Sequence, residues 1–416
     1  MSLKLITFLG SNLYSPTTYR LGANSYESPF IQVALAHLLK PEEVCVFVTG
    51  GKKGSKLCNW EGVREGKDGD VSHVKGLMQY SKDIIGVEIN AIDIPDGKNI
   101  EEIWEIFEIV SETVDSDDKI IFDVTHSFRS IPIIALACIQ YLRVVKKVNL
   151  MGIYYGAWEA RGDDNVAPII DLTAFVQLMD WTYAVRSFEA NSDIAWLKNL
   201  LDAEALPRCK ESKGCDKEAV KLREFGKNLD SFAKSLSTCR CKDLYEKGFL
   251  DILLESVNDL KSYNSIRALS PLLSIVENKI RGCKIDGSEN MLVVRRGFEA
   301  VKWCVDHAQI QQAYTIFREN ILTYVCILND KDIGDRAFRE KVSSALQAKN
   351  NPSSAVKDCN EVSLEGLPTE IFGIYDTLSK RRNDLNHAGI TQPAKCEILI
   401  DDVRRLLDDV LVRLEF

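Results

Sequence analysis

Short, continuous apolar runs alternate with helically spaced segments over residues 1–172, and then the alternation stops. Residues 3–9 form an apolar, β-rich run that ends at Gly10, Ser11 and Asn12. Pro29 stands where a helix would start, and residues 31–39 continue it up to Pro41. Residues 44–49, closed by Gly50 and Gly51, predict the next buried strand. Another strand lies within 84–94, before Pro95, Asp96 and Gly97. Helical spacing over 100–114, a strand at 119–124 and a largely apolar helix over 131–145 follow, and strands at 148–155 and 166–170 close the series. Strands that are apolar along their length, alternating with helices, predict a mostly parallel sheet covered on both faces. The expectation is a Rossmann-like α/β domain.

Beyond residue 173 the strand signal fades and a period of 3.6 dominates. Helices are predicted over 218–237, 249–263, 265–279, 294–328 (more than one), 370–386 and 394–414. Residues 207–241 are Lys-rich and polar and read as an exposed helical insert or linker; 349–354 read as a loop. The pattern divides the chain into an α/β domain (1–172), a helical linker or insert (173–290) and an all-α domain (291–416).

The length of 416 residues exceeds one ordinary core and fits such a division. With 45% hydrophobic and 27% charged residues, the composition is that of a globular chain. No apolar run reaches the roughly 18 residues of a membrane span, and the N-terminal apolar stretch is too short for a signal peptide. A cytoplasmic protein with no membrane partner is the expectation. A net charge of −9 argues against unspecific binding of long nucleic acid by the whole surface, while leaving room for a local basic cleft. Cys45, Cys138, Cys304 and Cys326 lie in apolar contexts and read as reduced core residues. Cys209, Cys215, Cys239 and Cys241 gather in a polar stretch, but their spacings are not those of paired zinc knuckles, so exposed thiols are the default and no metal is assigned.

Open parallel sheets bind phosphate-bearing ligands at their C-terminal strand ends and at helix N-termini. Three segments have suitable chemistry there: Gly10, Ser11, Asn12 and Tyr14 after the first strand, Thr49 and Gly50 after the second, and Thr125, His126, Ser127, Phe128, Arg129 and Ser130 before the apolar helix. Hydroxyl and backbone N–H groups suit phosphate oxygens, Arg129 supplies charge, and Phe128 or Tyr14 can stack on a base. Tyr155 and Trp158 follow another strand near the same edge. The dinucleotide fingerprint and the P-loop spacing are both missing, which disfavours a nucleotide-dependent oxidoreductase. The bland reading of the third segment is that Asp123, Thr125 and Ser130 cap the following helix.

A second pattern lies near the C-terminus, where Arg382, Asn383 and His387 fall in one helical segment. Asn383 and His387 are i and i+4 and share a face. Arg382 is about 100° round, on a long stem. Gly389 is expected to end the helix, with His387 in its last turn. A permanently charged guanidinium and an imidazole suit cleavage of a phosphodiester without a metal, since one neutralises the phosphate and the other moves a proton near neutral pH. Taken alone, the same residues read as a solvated basic helix end.

Together these segments resemble the CRISPR-associated CARF–HEPN proteins, the ancillary ribonucleases of type III CRISPR systems. The loop from Asp123 to Arg129 is similar to the CARF pattern D-x-T-H-G or D-x-T-N-G followed by x-R, with Ser127 in place of the glycine. Arg382 and His387 are similar to the HEPN R-x4-6-H motif; Arg381 satisfies the looser spacing, but Arg382 followed by Asn383 is the nearer match. The resemblance implies a cyclic oligoadenylate activator bound by Gly10, Ser11, Asn12, Tyr14, Thr49, Gly50 and residues 125–130. It implies a homodimer or higher even oligomer, in which paired motifs cleave single-stranded RNA with no cofactor for catalysis. Arg382 would stabilise phosphate charge, His387 would serve as acid or base, and Asn383 would orient it. A CARF sensor whose helical half only dimerises or recruits a partner is the alternative.

Overall fold

The computed structural model describes residues 2–65, 71–81, 88–126, 131–240, 242–243, 249–263, 270–281, 289–350, 361–390 and 393–414. The predicted Ser127, Phe128, Arg129 and Ser130, and also Cys241, lie outside the described residues. The chain forms two compact units, Met1–Gln177 and Leu178–Phe416.

The first unit is built on β1 (Leu3–Phe8), β2 (Thr17–Leu21), β3 (Asn24–Ser28), β4 (Glu43–Thr49), β7 (Glu88–Ile94), β8 (Lys119–Asp123), β9 (Asn149–Gly156) and β10 (Val166–Asp171), in the order β3-β2-β10-β9-β8-β1-β4-β7. From β9 through β8, β1 and β4 to β7 every pairing is parallel, as predicted. β10 runs antiparallel to β9, and β2 and β3 form an antiparallel hairpin at the edge. A small ribbon, β5 (Val63–Glu65) with β6 (Val71–His73), stands apart. Along β4 the side chains alternate between the two faces: Val44, Val46 and Val48 pack with α1 (Ile31–Leu39), whereas Cys45 and Phe47 pack with α3 (Ile100–Glu112) and α4 (Ile131–Val145). A short α2 (Leu77–Ser81) joins the first of these layers. With both faces covered, the strands need no polar side, which explains their unbroken apolar sequence.

The second unit is helical. The boundary falls within α5 (Thr173–Asn191), after which come α6 (Ala195–Glu211), α7 (Lys217–Ser237), α8 (Phe249–Lys261), α9 (Ser270–Arg281), α10 (Glu289–Asp306), α11 (Ile310–Leu328), α12 (Arg336–Asn350), α13 (Glu370–Asn386) and α14 (Cys396–Arg413). One apolar core runs from Trp181 to Val410 through these helices. The Lys-rich stretch predicted as an exposed insert is part of that core. α7 buries Leu222, Phe225, Leu229, Phe232 and Leu236 along one face and turns its lysines outward. Overall polarity concealed an apolar residue every three or four positions. Its N-terminus is capped by Asp216, whose side chain accepts from the Ala219 N–H at 3.0 Å.

Phe225 is fully buried, so Phe225→Ala is expected to lower stability by about 3–5 kcal/mol in urea titration. A change within about 0.5 kcal/mol, as for a surface position, would contradict the packed role of α7.

Candidate functional site

The parallel strands end at one edge of the sheet, and a cleft of about 430 Å³ opens there. It is lined by Gly10, Ser11, Asn12 and Tyr14 after β1, Thr49 at the end of β4, and Thr125 and His126 after β8. Seven of the sequence-predicted residues therefore meet in one place. Gly50 is exposed beside Thr49 and is not among the lining residues.

A buried carboxylate sets the geometry of this edge. Asp123 accepts from Thr7 Oγ1 at 2.6 Å on one oxygen, and on the other from the Thr125 hydroxyl at 2.5 Å and the Thr125 N–H at 3.0 Å. Thr7 Oγ1 itself accepts from Gln32 Nε2 of α1 at 3.2 Å, and Thr125 Oγ1 accepts from the Gly156 N–H of β9 at 2.7 Å. Both hydroxyls are thus obliged to give their protons to Asp123. The side chain fixes the turn to His126 and ties together the ends of three strands.

The Gly10 to Asn12 loop is held from a distance. Asn59 lies in a π-helical turn, Lys56–Glu61, and its Nδ2 donates to the carbonyls of Gly10 at 2.6 Å and Asn12 at 2.7 Å. Arg64 of β5 in turn donates to Asn59 Oδ1 at 2.5 Å. Neither residue stands out in the sequence, because Asn59 sits in an irregular turn with its partners 49 and 47 positions away, and Arg64 acts through Asn59. A Cβ at Gly10 would stand 2.5 Å from the Tyr14 hydroxyl, so glycine allows that ring to lie flat under the loop. The loop after β4 is closed by Thr49 and Ser55, the Thr49 N–H donating to Ser55 Oγ at 2.9 Å and the Ser55 N–H to Thr49 Oγ1 at 3.1 Å.

Tyr14 and His126 stack with ring centroids 4.4 Å apart, and Tyr14 Oη and His126 Nε2 are buried without a hydrogen-bond partner among the described residues. Burial pushes the Tyr14 phenol far up. Burial also holds the His126 imidazole down to about 4, with Glu159 acting the other way. Both rings are neutral near pH 7, and Glu159 is the charged residue among the described lining. Glu159 accepts from the Tyr155 hydroxyl at 3.1 Å, while Trp158 is covered by the Arg161 guanidinium, 3.7 Å from its ring centre. This part of the cleft suits an uncharged, hydrogen-bonding planar group.

In the helical unit, α13 carries Arg382 and Asn383, and His387 caps its C-terminus. Arg381 is bound to Asp402 of α14, with Nη2 at 2.9 Å and Nε at 3.2 Å. Arg382 has no carboxylate partner among the described residues and donates to Asn383 Oδ1 at 3.3 Å. The Asn383 side chain thus meets the guanidinium rather than the imidazole. Asn383 and His387 are exposed. The helix ends one residue before the predicted glycine stop: Ala388 takes the first left-handed position, φ 55°, followed by Gly389 at φ 67°. The Ala388 N–H donates to the Leu385 carbonyl at 3.2 Å and the Gly389 N–H to that of Asp384 at 3.0 Å, a Schellman stop that turns the chain directly after His387. Behind the motif, Arg318 of α11 donates to Ser379 at 3.2 Å and to Ser343 at 3.1 Å, fixing α13 against α12.

Cys209, Cys215 and Cys239 are free thiols, and among the described residues no group of three or more His, Cys, Asp or Glu side chains is placed to hold a metal. No described helix is long and apolar enough to cross a membrane.

The class of architecture is a Rossmann-like sheet with a cleft at its C-terminal edge, followed by a helical unit. Residues 4–159 match the family described as CRISPR system endoribonuclease Csx1, CARF domain. The chain is also 23% identical over 401 residues to the CRISPR-associated protein MJ1674 of Methanocaldococcus jannaschii; the match covers 86% of this chain and 58% of that protein, so the chain spans under two thirds of its relative's length. The α/β unit is thus similar to a CARF domain, and the chain to a CRISPR-associated protein.

The neutral, buried state of His126 has a consequence for stability. The unfolded chain takes a proton near 6.5 and the folded chain only near about 4, so the stabilisation is complete above 6.5 and is lost as pH falls towards 4. The expected slope in that window is up to about 1.4 kcal/mol per pH unit, read from urea midpoints, and His126→Gln should remove it. An unchanged acid slope in the variant would contradict the buried neutral imidazole.

Proposed function

We propose that this protein is a cyclic-oligoadenylate-activated, metal-independent endoribonuclease for single-stranded RNA, acting in type III CRISPR defence. The observation that carries the reading is the pair of neighbouring arginines on α13: Arg381 is neutralised by Asp402, whereas Arg382, one residue on, is left to meet an anion beside His387. In this reading the RNA 2′-hydroxyl attacks the adjacent phosphorus, and the bond to the 5′-oxygen breaks. The products are a 2′,3′-cyclic phosphate and a 5′-hydroxyl. Arg382 stabilises the charge on the five-coordinate phosphorus, Asn383 holds the guanidinium, and His387 moves a proton to or from a reacting oxygen.

The activator is assigned to the cleft at the sheet edge. The Tyr14–His126 stack takes the neutral base, and loop N–H and hydroxyl groups of Ser11 and Asn12 take polar atoms of the ribose or phosphate. Arg129, from the resemblance, is the counter-charge. One chain supplies one Arg382–His387 pair, so a homodimer or higher even oligomer brings two pairs into a composite site. The first unit offers apolar surface for a second copy: Ile133, Val144 and Phe175 are 72%, 77% and 64% exposed. The cyclic ligand must bind the active arrangement more tightly than the inactive one, and the helices of 173–290 are assigned that coupling.

Arg382→Ala and His387→Ala are each expected to slow cleavage of labelled RNA in EDTA by about 10²-fold or more while leaving cyclic oligoadenylate binding nearly intact. Full cleavage by His387→Ala would leave the protein as a CARF sensor without this nuclease chemistry. Mixed dimers of wild-type and Arg382→Ala subunits should be nearly inactive; retention of about half the wild-type rate would mean that each protomer works alone.

A further inference from the structure

The second unit carries a basic groove that the sheet-edge cleft and the Arg382–His387 pair do not use. It lies between α6 and α7, has a volume of about 610 Å³, and is floored by Leu206 and Val220. Lys210, Arg223 and Lys227 line it and are exposed. No ion pair joins these three cations to another described residue. The contrast with their neighbour Arg208 is informative. Arg208 is saturated, donating to Asp216 at 3.0 Å and Glu204 at 3.1 Å, with Glu218 3.5 Å away. The acid in the groove, Glu224, is partly neutralised by Lys221 at 3.7 Å. In a chain of net charge −9, three cations with no ion-pair partner among the described residues, set in one concave surface, mark a place for an anion.

The groove also leads somewhere. Arg223 and Lys227 are i and i+4 on α7, and Lys234 returns to the same face one heptad later. From Lys227 to the end of α7 at Ser237 is about 15 Å of helix. There the Ser237 carbonyl accepts from Gln312 Nε2 at 3.4 Å, and the adjacent Gln311 donates to Asn386 Oδ1 at 3.4 Å. Asn386 immediately precedes His387. The end of α7 and the end of α13 are thus both joined to the start of α11.

We propose that Lys210, Arg223 and Lys227 form a phosphate-tracking site for single-stranded RNA, binding the substrate backbone several nucleotides from the bond that is cut. The assignment of RNA rests on the nuclease reading; the groove's affinity for a flexible phosphate chain rests on its own charges. The site is independent of base sequence, because its contacts are to phosphates.

The test uses full-length His387→Ala protein, which separates binding from cutting, and a fluorescein-labelled unstructured RNA of about 12 nucleotides. Adding Lys210→Gln, Arg223→Gln and Lys227→Gln together should weaken binding in fluorescence anisotropy by tenfold or more at physiological salt. The slope of log K against log salt should fall by about 2, at about 0.7 per phosphate lost. The charge-keeping set Lys210→Arg, Arg223→Lys and Lys227→Arg should keep both, and in the otherwise wild-type protein the Gln set should act through KM. Unchanged affinity and salt slope in the Gln set would overturn the proposal, as would loss of cyclic oligoadenylate binding with RNA binding intact. Should His387→Ala cut RNA as fast as wild type, the nuclease reading falls, while the anisotropy result still decides the groove.

Discussion

A single buried carboxylate organises the edge of the sheet where the cleft opens. Asp123 receives hydroxyl protons from Thr7 on β1 and from Thr125 beyond β8, and the reverse side of each hydroxyl is already occupied by Gln32 of α1 and by the Gly156 N–H of β9. Burial by itself pushes the Asp123 carboxyl up, but a protonated Asp123 would find no acceptor in this ring for its own hydrogen. The donors around it favour the ionised form and oppose the burial. Four elements are locked at the point where the sheet opens, and the position of His126 follows from that lock. His126 meets Tyr14, Tyr14 lies under Gly10, and the Gly10 to Asn12 loop is pinned by Asn59. The cleft is preorganised by groups that do not themselves need to touch a ligand.

The helical unit separates structural charge from available charge in the same way. Arg318, Arg381 and Arg208 each make two or more side-chain hydrogen bonds and hold helices in register. Arg382, Lys210, Arg223 and Lys227 are not neutralised by a carboxylate among the described residues. Neutralised cations contribute little further field at a surface. Unneutralised ones keep their field at the surface, where a bound anion would feel it in a salt-dependent way.

Much of the α/β fold was legible because buried parallel strands write themselves as unbroken apolar runs: the strands at 3–9, 44–49 and 119–124 form within a residue or two of their expected ends. The β2–β3 hairpin was not, since a polar edge hairpin buries little beyond Tyr19 and shows no run at all. α7 was misjudged for the opposite reason. Its lysines dominate the composition, while its apolar stripe is visible only by spacing. Of the candidate site residues, Gly10, Ser11, Asn12, Tyr14, Thr49, Thr125 and His126 share one cleft because topology puts every parallel strand's C-terminus at one edge. Asn59 and Arg64 could not be foreseen, since their role depends on a π-helical turn folding back across the sheet end. That Arg381, and not Arg382, is paired with Asp402 of α14 is likewise not visible in the sequence.

The most direct test of the proposed function is whether RNA is cleaved and whether a cyclic oligoadenylate controls that cleavage. Wild-type protein in EDTA is incubated with end-labelled single-stranded RNA, with and without cyclic oligoadenylates of each ring size, and the product ends are analysed. The account predicts slow cleavage alone, strong acceleration by one ring size, and products bearing 2′,3′-cyclic phosphate and 5′-hydroxyl ends. Cleavage that is indifferent to every ring, or that stops in EDTA, would contradict it.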